Sequence, residues 1–468
     1  LATDGRRAEH DRGSIDGVAR GLGVTIVSKA SAYPKSVQSG LPRLAACPPG
    51  WTRGPLSAHL IEELRPLNMA DDEVYDLVTV KRSRGGVVLR ERLKGSQIAV
   101  KSQFRLKAGD FLISKRQIVH GACGIVPPEL DGAIVSNEYS VLRARSTLRL
   151  DFLNCLAHSI YFQQTCFHSS IGVHVEKMIF KLGEWMKWDF NLPPLCEQQR
   201  IAEILSTWDR AIEAVEALIA NARAQKGALT QLLLTGKRRL PEFEVSRGGN
   251  EEQGGSSSFP DGWQLATIGA IAGLVTSGSR GWAAYYSVSG SPFIRITNLR
   301  RLQITPDLSN LKFVRLPDSD NEGKRTRLRA GDILMSITAD LGTIGYIDQD
   351  PTLESFISQH VALIRLGKRA DTRFVAHQLA APRHWNIIQK LNDSGAKAGL
   401  SLPSVRSIPV HLPSLPEQRR IAEVLSTRDQ ALDAMEAQLA ALYQEKAGLM
   451  QQLLTGKRRV AAVESEAA

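Results

Sequence analysis

The chain has little cysteine: its 468 residues hold only Cys47, Cys123, Cys155, Cys166 and Cys196. An odd count at irregular spacing builds no disulfide framework and suits a reducing compartment, so a cytoplasmic location is expected. No run approaches the roughly 18 apolar residues that a membrane span needs. The stretch from Leu1 to Gly21 is charged and glycine-rich and lacks the apolar segment of a secretory leader. Neither export nor membrane insertion is expected. Acidic excess is also missing: 59 Lys+Arg stand against 48 Asp+Glu, a net charge of +11. The resulting pI of about 9.5 favours a polyanionic partner, with nucleic acid ahead of an anionic membrane face. At 43% hydrophobic and 23% charged residues the composition is that of globular proteins, which excludes collagen-like, wholly disordered and coiled-coil-only chains.

The signatures of several chemistries are missing too. There is no G-x4-GK[ST] loop, so no ATP site of that kind is expected, and no glycine-rich cofactor loop paired with an Asn/Asp-Pro-Pro-aromatic string, as a methyltransferase would need. The pairs Gly121/Gly124 and Gly342/Gly345 are too short for a dinucleotide fingerprint and read as strand turns. Cys155, His158, Cys166 and His168 do not have zinc spacing. Asp307 with Glu322 and Lys324 has the residue types of a metal-dependent nuclease, but the first half of the chain has no counterpart. No catalytic residue, metal site or bound cofactor is therefore expected in this chain.

What is present is a duplication at an offset of 220. Residues 192–240, LPPLCEQQRIAEILSTWDRAIEAVEALIANARAQKGALTQLLLTGKRRL, match residues 412–460, LPSLPEQRRIAEVLSTRDQALDAMEAQLAALYQEKAGLMQQLLTGKRRV, at about 28 of 49 positions without a gap. Each copy reads as one long helix of strong helix formers, entered through prolines. In the second copy Ser414 and Glu417 are spaced as a capping box. Gly236 and Gly456 suit the left-handed residue after a helix. The basic runs Lys237 to Arg239 and Lys457 to Arg459 suit either the negative end of the helix dipole or phosphate contact. Apolar positions step by four and three: Ile201, Leu205, Ile212, Val215 and Leu233 in one helix, Ile421, Leu425, Leu432, Met435 and Leu453 in the other. The same register places Arg428, Lys226 and Lys446 on the seam, where the lysines read as devices that fix alignment. A helix from Glu197 to Leu234 would span roughly 57 Å.

A segment of domain size precedes each helix, and both open with Gly-Trp. They share Ala108-Gly109-Asp110 before Phe111 to Ser114, and Ala330-Gly331-Asp332 before Ile333 to Ser336. Short β-branched runs between Gly, Asp and Pro predict strands, with helices over Asp151 to Phe162 and Thr372 to Ala380. The expected order is an N-terminal segment at 1–50, a first globular domain at 51–191, a helix at 192–240, a linker at 241–262, a second globular domain at 263–411, a helix at 412–460 and a tail at 461–468. The fold class is α+β: two tandem globular domains separated by two long helices packed as an antiparallel coiled coil with pseudo-two-fold symmetry.

Helices that stay alike beside domains that diverge suggest one partner met twice and two different targets. Half-sites on one side of B-DNA recur about every 34 Å, which suits two separated, dissimilar readers of an asymmetric site. On LP-x-L-x-EQ-x-RIAE-x-LS and the closing LLTGKRR, each occurring twice behind dissimilar domains, the chain resembles the specificity (S) subunits of type I restriction-modification enzymes. The resemblance runs from Trp51 to Val460. It implies target recognition domains that bind double-stranded DNA and helices that dock two methylation (M) subunits. Restriction (R) subunits would supply cleavage, and S-adenosylmethionine, ATP and Mg would sit on those partners.

Lys and Arg bind phosphates, while Arg, Lys, Asn and Gln read base edges. The candidates for DNA contact in the first domain are Lys81, Arg82, Arg84, Lys115, Arg116 and Gln117. In the second they are Ser277 and Arg280 in a polar loop that includes Trp282, then Arg295, Asn298 and Arg300, then Lys324 and Arg325. The competing reading is a helical scaffold without sequence-specific DNA binding.

Overall fold

The computed structural model describes residues 37, 40–244, 262–301, 303–316, 323–392 and 399–460. Most of the segment expected at 1–50, most of the linker expected at 241–262, and the tail lie outside them. The chain divides into two compact units, Leu1–Thr207 with Lys446–Ala468, and Trp208–Glu445, so that the division falls within both long helices.

In the first unit the strands are β1 (Thr52–Pro55), β2 (Leu60–Glu62), β3 (Pro66–Leu67), β4 (Val74–Val80), β5 (Val87–Lys94), β6 (Gln103–Arg105), β7 (Phe111–Ser114), β8 (Cys123–Ile125), β9 (Ile134–Ser136) and β10 (Tyr139–Ala144). They are followed by α1 (Leu150–Leu156), α2 (Ile160–His168), β11 (Ser170–Ile171), β12 (Ile179–Phe180), α3 (Leu182–Trp185), β13 (Asp189–Leu192) and the start of α4 (Leu195–Leu234). A four-stranded antiparallel sheet has the order β2-β10-β7-β8, and a five-stranded sheet the order β3-β6-β9-β4-β5. All four residues of β7 are buried, and they divide between two cores by the two-residue period of a strand. Phe111 and Ile113 join Phe152, Trp185 and Phe190 on the helical side, while Leu112 joins Val78, Val80 and Val135 on the side of the second sheet. The helix expected over Asp151 to Phe162 is broken in two: Ser159 leaves the helical region and its hydroxyl accepts from the Phe162 N–H at 3.2 Å, capping α2.

The second unit comprises β14 (Gln264–Thr267), α5 (Ile268–Ile271), β15 (Ala272–Ser277), β16 (Tyr286–Ser287), β17 (Ser291–Ile294), β18 (Lys312–Val314), β19 (Ile333–Ser336), β20 (Ile344–Tyr346), β21 (Phe356–Ile357) and β22 (Val361–Leu366). Then come α6 (Thr372–Ala380), α7 (Pro382–Lys390), α8 (Leu402–Ser407), β23 (Pro409–Leu412) and α9 (Leu415–Leu453). Its central sheet, β15-β22-β19-β20, repeats the order of β2-β10-β7-β8, and the pair β14-β23 repeats β1-β13. The helix expected at Thr372 to Ala380 is α6, capped by Asp371.

The shared Ala-Gly-Asp string is now explained. Gly109 and Gly331 turn with φ near +84° and +85°, a backbone that a side chain would strain. The buried Asp110 accepts from the Lys107 N–H at 2.8 Å and from Arg65 at 2.7 Å. Asp332 does the same with the Arg329 N–H at 2.8 Å and Arg365 at 2.7 Å. Each aspartate therefore closes a turn and neutralises one arginine inside its own domain.

Helices α4 and α9 have 40 and 39 residues, roughly 60 Å each. Within the second unit they run antiparallel: partners rise along one as they fall along the other, from Glu216 with Tyr443 to Arg223 with Glu436 and Lys226 with Asp429. Ile212 is buried, and Val215 and Ile219 bury against Leu432, with Ala222, Met435, Leu439 and Leu442 packed around them. The outer seam positions serve the domains. Ile201, Leu205 and Leu453 join the core of the first unit, and Leu233, Ile421 and Leu425 that of the second. Lys226 is buried on the seam, as its spacing predicts, whereas Lys446 is half-buried. Arg428 is exposed and leaves the seam to its neighbour Asp429, the buried partner of Lys226. A solvated guanidinium gains nothing there, while a carboxylate neutralises the lysine.

Candidate nucleic-acid interfaces

The basic runs closing the two helices divide their charges. Arg459 donates from Nε and Nη2 to the two carboxylate oxygens of Glu197, both at 2.8 Å, within the first unit. Arg239 makes the same two-pronged contact with Glu417 within the second. These arginines tie the end of one helix to the start of the other. Lys237, Arg238, Lys457 and Arg458 are exposed. Gly236 and Gly456 take left-handed conformations, φ +67° and +68°, as the helix-stop pattern predicts. The capping box at Ser414 is only half made. Its hydroxyl meets the Glu417 N–H at 3.5 Å, but the carboxylate that should reach back is held by Arg239.

The glutamine beside each glutamate was missed as a functional position, although its presence in both copies marked it. Gln198 accepts from the Arg149 N–H at 2.9 Å and donates to the carbonyls of Pro193 and Thr147. Gln418 accepts from the Asp371 N–H at 2.9 Å and donates to Pro413. Each fixes the first turn of a long helix to the helical part of its own globular domain.

In the first unit the two candidate clusters form one site. The β4–β5 hairpin tip turns through Ser83 and Arg84, both at positive φ, and its Ser83 and Arg84 N–H groups donate to the carbonyls of His120 and Gly121 at 2.8 and 2.7 Å. Arg82 Nε then donates to Gln117 Oε1 at 2.9 Å. Lys115 donates to the Asn137 carbonyl at 2.9 Å, Arg116 pairs with Glu138, and Lys81 is exposed. Glu176 lies between Arg82 at 3.1 Å and His120 at 3.3 Å. Arg84 is the exception. Its side chain folds inward over Gly121, its Nε is buried without a hydrogen-bond partner among the described residues, and burial holds the guanidinium below its ordinary pKa.

In the second unit Arg325 donates to the hydroxyls of Thr276 and Ser279, which joins the loop after β15 to the 324–327 cluster. Arg280 and Lys324 are exposed beside that contact, and Ser277 is half-buried at the end of β15. Trp282 is interior: it is 4% exposed and packs between Phe293 and Phe356, ring centroids 4.9 and 5.3 Å away.

Three candidates do not join this site. Asn298, 1% exposed, ends a short 3-10 turn after β17. Its amide accepts from the Arg295 N–H at 3.0 Å and donates to the Asp307 carbonyl at 2.9 Å. Arg295 is half-buried, with Nε enclosed, and reaches toward the Asn310 carbonyl. Arg300 pairs with Asp433 at 3.2 Å and Glu436 at 3.5 Å, bracing the domain against α9. Of the acidic residues of the nuclease reading, Asp307 caps the Ser309 N–H at 2.9 Å, and Glu322 lies outside the described residues.

A model of the type I restriction modification DNA specificity domain matches residues 65–222 and again 260–444, one match on each copy of the duplication. The chain belongs to that family. It is 25% identical over 296 residues, 61% of its length, to the type I restriction enzyme MjaVIII specificity subunit of Methanocaldococcus jannaschii. It is 23% identical over 261 residues to the EcoBI specificity subunit of Escherichia coli. The matches span 65% of the first relative and 53% of the second. A type I restriction-modification S subunit from M. genitalium has the same fold, with a TM-score of 0.57 at 15% identity, covering 88% of this chain and 99% of that one.

Proposed function

We propose that this chain is the non-catalytic, sequence-specific DNA-binding subunit of a type I restriction-modification complex and reads an asymmetric bipartite site. The observation that carries the reading is an uneven duplication. The central sheet order, the Asp-Arg turn and the Glu-Arg latch occur twice. The second sheet does not repeat: it is β3-β6-β9-β4-β5 in one unit and β16-β18-β17-β21 in the other. A repeated scaffold with unlike outer layers is what two readers of unlike half-sites require. In this reading the first half is met by Lys81, Arg82, Lys115, Arg116 and Gln117, and the second by Ser277, Arg280, Lys324 and Arg325. The repeated helices dock two methylation subunits, and restriction subunits join that complex. S-adenosylmethionine, ATP and Mg act on those partners in the cytoplasm.

The test is co-purification of the tagged chain with its methylation subunit, followed by sequencing of methylated genomic DNA treated with the complex. Methylation confined to an asymmetric split motif, with two methylation subunits per chain, is the expected result. A chain that recruits no methyltransferase and leaves DNA unmarked favours the helical scaffold.

A further inference from the structure

Among the described residues of the first unit, Val173 is the most exposed large apolar side chain, at 95%. It sits in the hairpin that joins β11 to β12. Behind it Ile171 and Ile179, partners across the two strands, are 64% and 41% exposed. The alternation of a strand accounts for that pair: Ser170 and Phe180 are buried on one face, and the isoleucines occupy the other. Single exposed apolar residues are ordinary on a protein surface. Three on one hairpin form an apolar ridge, which marks a contact with something outside the chain.

The hairpin is tied into the candidate DNA site of the first domain. The Phe180 N–H donates to the Lys115 carbonyl at 2.8 Å. Glu176, in a 3-10 turn at Val175–Lys177, meets Arg82 at 3.1 Å and His120 at 3.3 Å. Gly172 lets the two strands close, since a side chain there would come within 2.9 Å of Met178 Cα. His174 and Lys177 are exposed on the same hairpin. The ridge therefore belongs to a cluster with Arg82, Lys115, Arg116 and Lys177, in which Glu176 pairs with Arg82 and Glu138 with Arg116. The remaining positive charge fits a polyanion better than the apolar face of another protein. The major groove of B-DNA admits a two-stranded ribbon, and the apolar group that base edges present there is the C5-methyl of thymine.

We propose that the β11–β12 hairpin enters the major groove of the first half-site and that Val173 packs on the methyl group of a thymine there. Val173 is then a specificity-determining residue without a hydrogen bond to give, beside Arg82 and Gln117, which are placed to read polar edges. The proposal rests on the DNA-binding reading and deepens it.

The test uses the complete complex, formed with the wild-type chain or with Val173→Ser, and duplexes in which deoxyuridine replaces each thymine of the first half-site in turn. This exchange removes the methyl group and keeps every hydrogen-bonding group of the base. At one position it is expected to weaken wild-type binding about fourfold, the worth of one methyl group withdrawn from water. Val173→Ser is expected to bind the thymine duplex about as weakly and to be indifferent to the exchange. The exposure of Val173 keeps this variant folded, which thermal unfolding checks. A first half-site without thymine, the lack of any such position, or a loss that Val173→Ser shares in full overturns the proposal. So does a Val173→Ser chain that recruits less methylation subunit with unchanged base preference, because the ridge then meets protein. All of these outcomes leave the proposed function standing. A complex that binds no DNA removes both.

Discussion

Arg459 grips Glu197 through two hydrogen bonds of 2.8 Å across 262 residues of sequence, and the indole N–H of Trp51 donates to the same carboxylate at 3.1 Å. Arg239 and Glu417 form the matching contact in the second unit. Three features that look unrelated in the sequence, the Gly-Trp opening, the EQ pair and the closing KRR, thus meet around one carboxylate in the first unit. The duplication preserves them because each unit needs the start of one helix locked to the end of the other. The basic cluster accordingly spends one of its three charges on the scaffold and leaves two in solvent.

The two latches differ in burial, and that difference sets the first prediction. The Glu417 side chain is fully enclosed, and Arg239 is 21% exposed. Arg239→Ala leaves a buried carboxylate without its charge partner and destabilises the second unit by about 3–5 kcal/mol in denaturant unfolding. Arg459 is 43% exposed, and Glu197 keeps the Trp51 donor, so Arg459→Ala costs the first unit less. Equal losses in the two variants would contradict the assignment.

The Lys226–Asp429 pair is buried on the helix seam, with side chains 10% and 3% exposed. Lys226→Met alone strands Asp429 and destabilises the second unit by about 3–5 kcal/mol, whereas Lys226→Met with Asp429→Leu recovers most of that loss. Chemical unfolding of the four species in a double-mutant cycle measures the coupling. The paired variant is also expected to admit slipped helix registers, which cysteine cross-linking between α4 and α9 detects as additional pairs.

How far the sequence was legible follows from these same residues. The period of the helices and the offset of 220 are backbone-scale signals, and they located both helices and most of the seam. Arg428 was misplaced because a one-residue step on a helix turns a side chain by about 100°, and only the partner decides whether position 428 or 429 faces inward. Asp151 to Phe162 read as a single helix because Ser159 interrupts an otherwise apolar run, and serine serves inside helices as well as at their caps. The candidate readers were legible by residue type, but burial was not. Asn298 and Arg325 are both plausible DNA contacts in the sequence, and only the fold turns the first into a loop brace.

Three histidines of the second unit are held below their ordinary pKa by burial. His377 is pushed down to about 3, with Lys226 and Arg373 adding to the effect, and His384 to about 4, while His411 moves the same way. His377 also faces Asp429 at 3.8 Å and bonds Ser426 at 3.0 Å. A base whose folded pKa is depressed binds its proton in the unfolded chain first, so stability is full above about pH 6.5 and falls as the pH drops toward 4. At pH 5, His377 and His384 each remove about 2 kcal/mol from the second unit. Hydrogen exchange at β19 and β22 should accelerate on acidification well before that at β7 and β10 of the first unit. His377→Gln with His384→Gln should flatten the dependence, and an unchanged slope in that variant would sink the explanation.

The last prediction separates reading DNA from holding the fold. Arg280 is exposed and belongs to the loop that Arg325 holds, so it is free to meet a base edge. Arg280→Ala should weaken recognition of the second half-site alone, by about 1–3 kcal/mol if the contact is bidentate, and leave thermal unfolding unchanged. Arg300 is equally basic in sequence, but its guanidinium is committed to Asp433 and Glu436 on α9. Arg300→Ala should therefore lower the unfolding temperature of the second unit and leave the base preference of both half-sites as it was. Competition binding with point-substituted half-sites, run beside calorimetric unfolding for the same two proteins, reads both effects. A relaxed base preference in Arg300→Ala would return that residue to the interface, and an Arg280→Ala protein with undiminished discrimination would remove Arg280 from it.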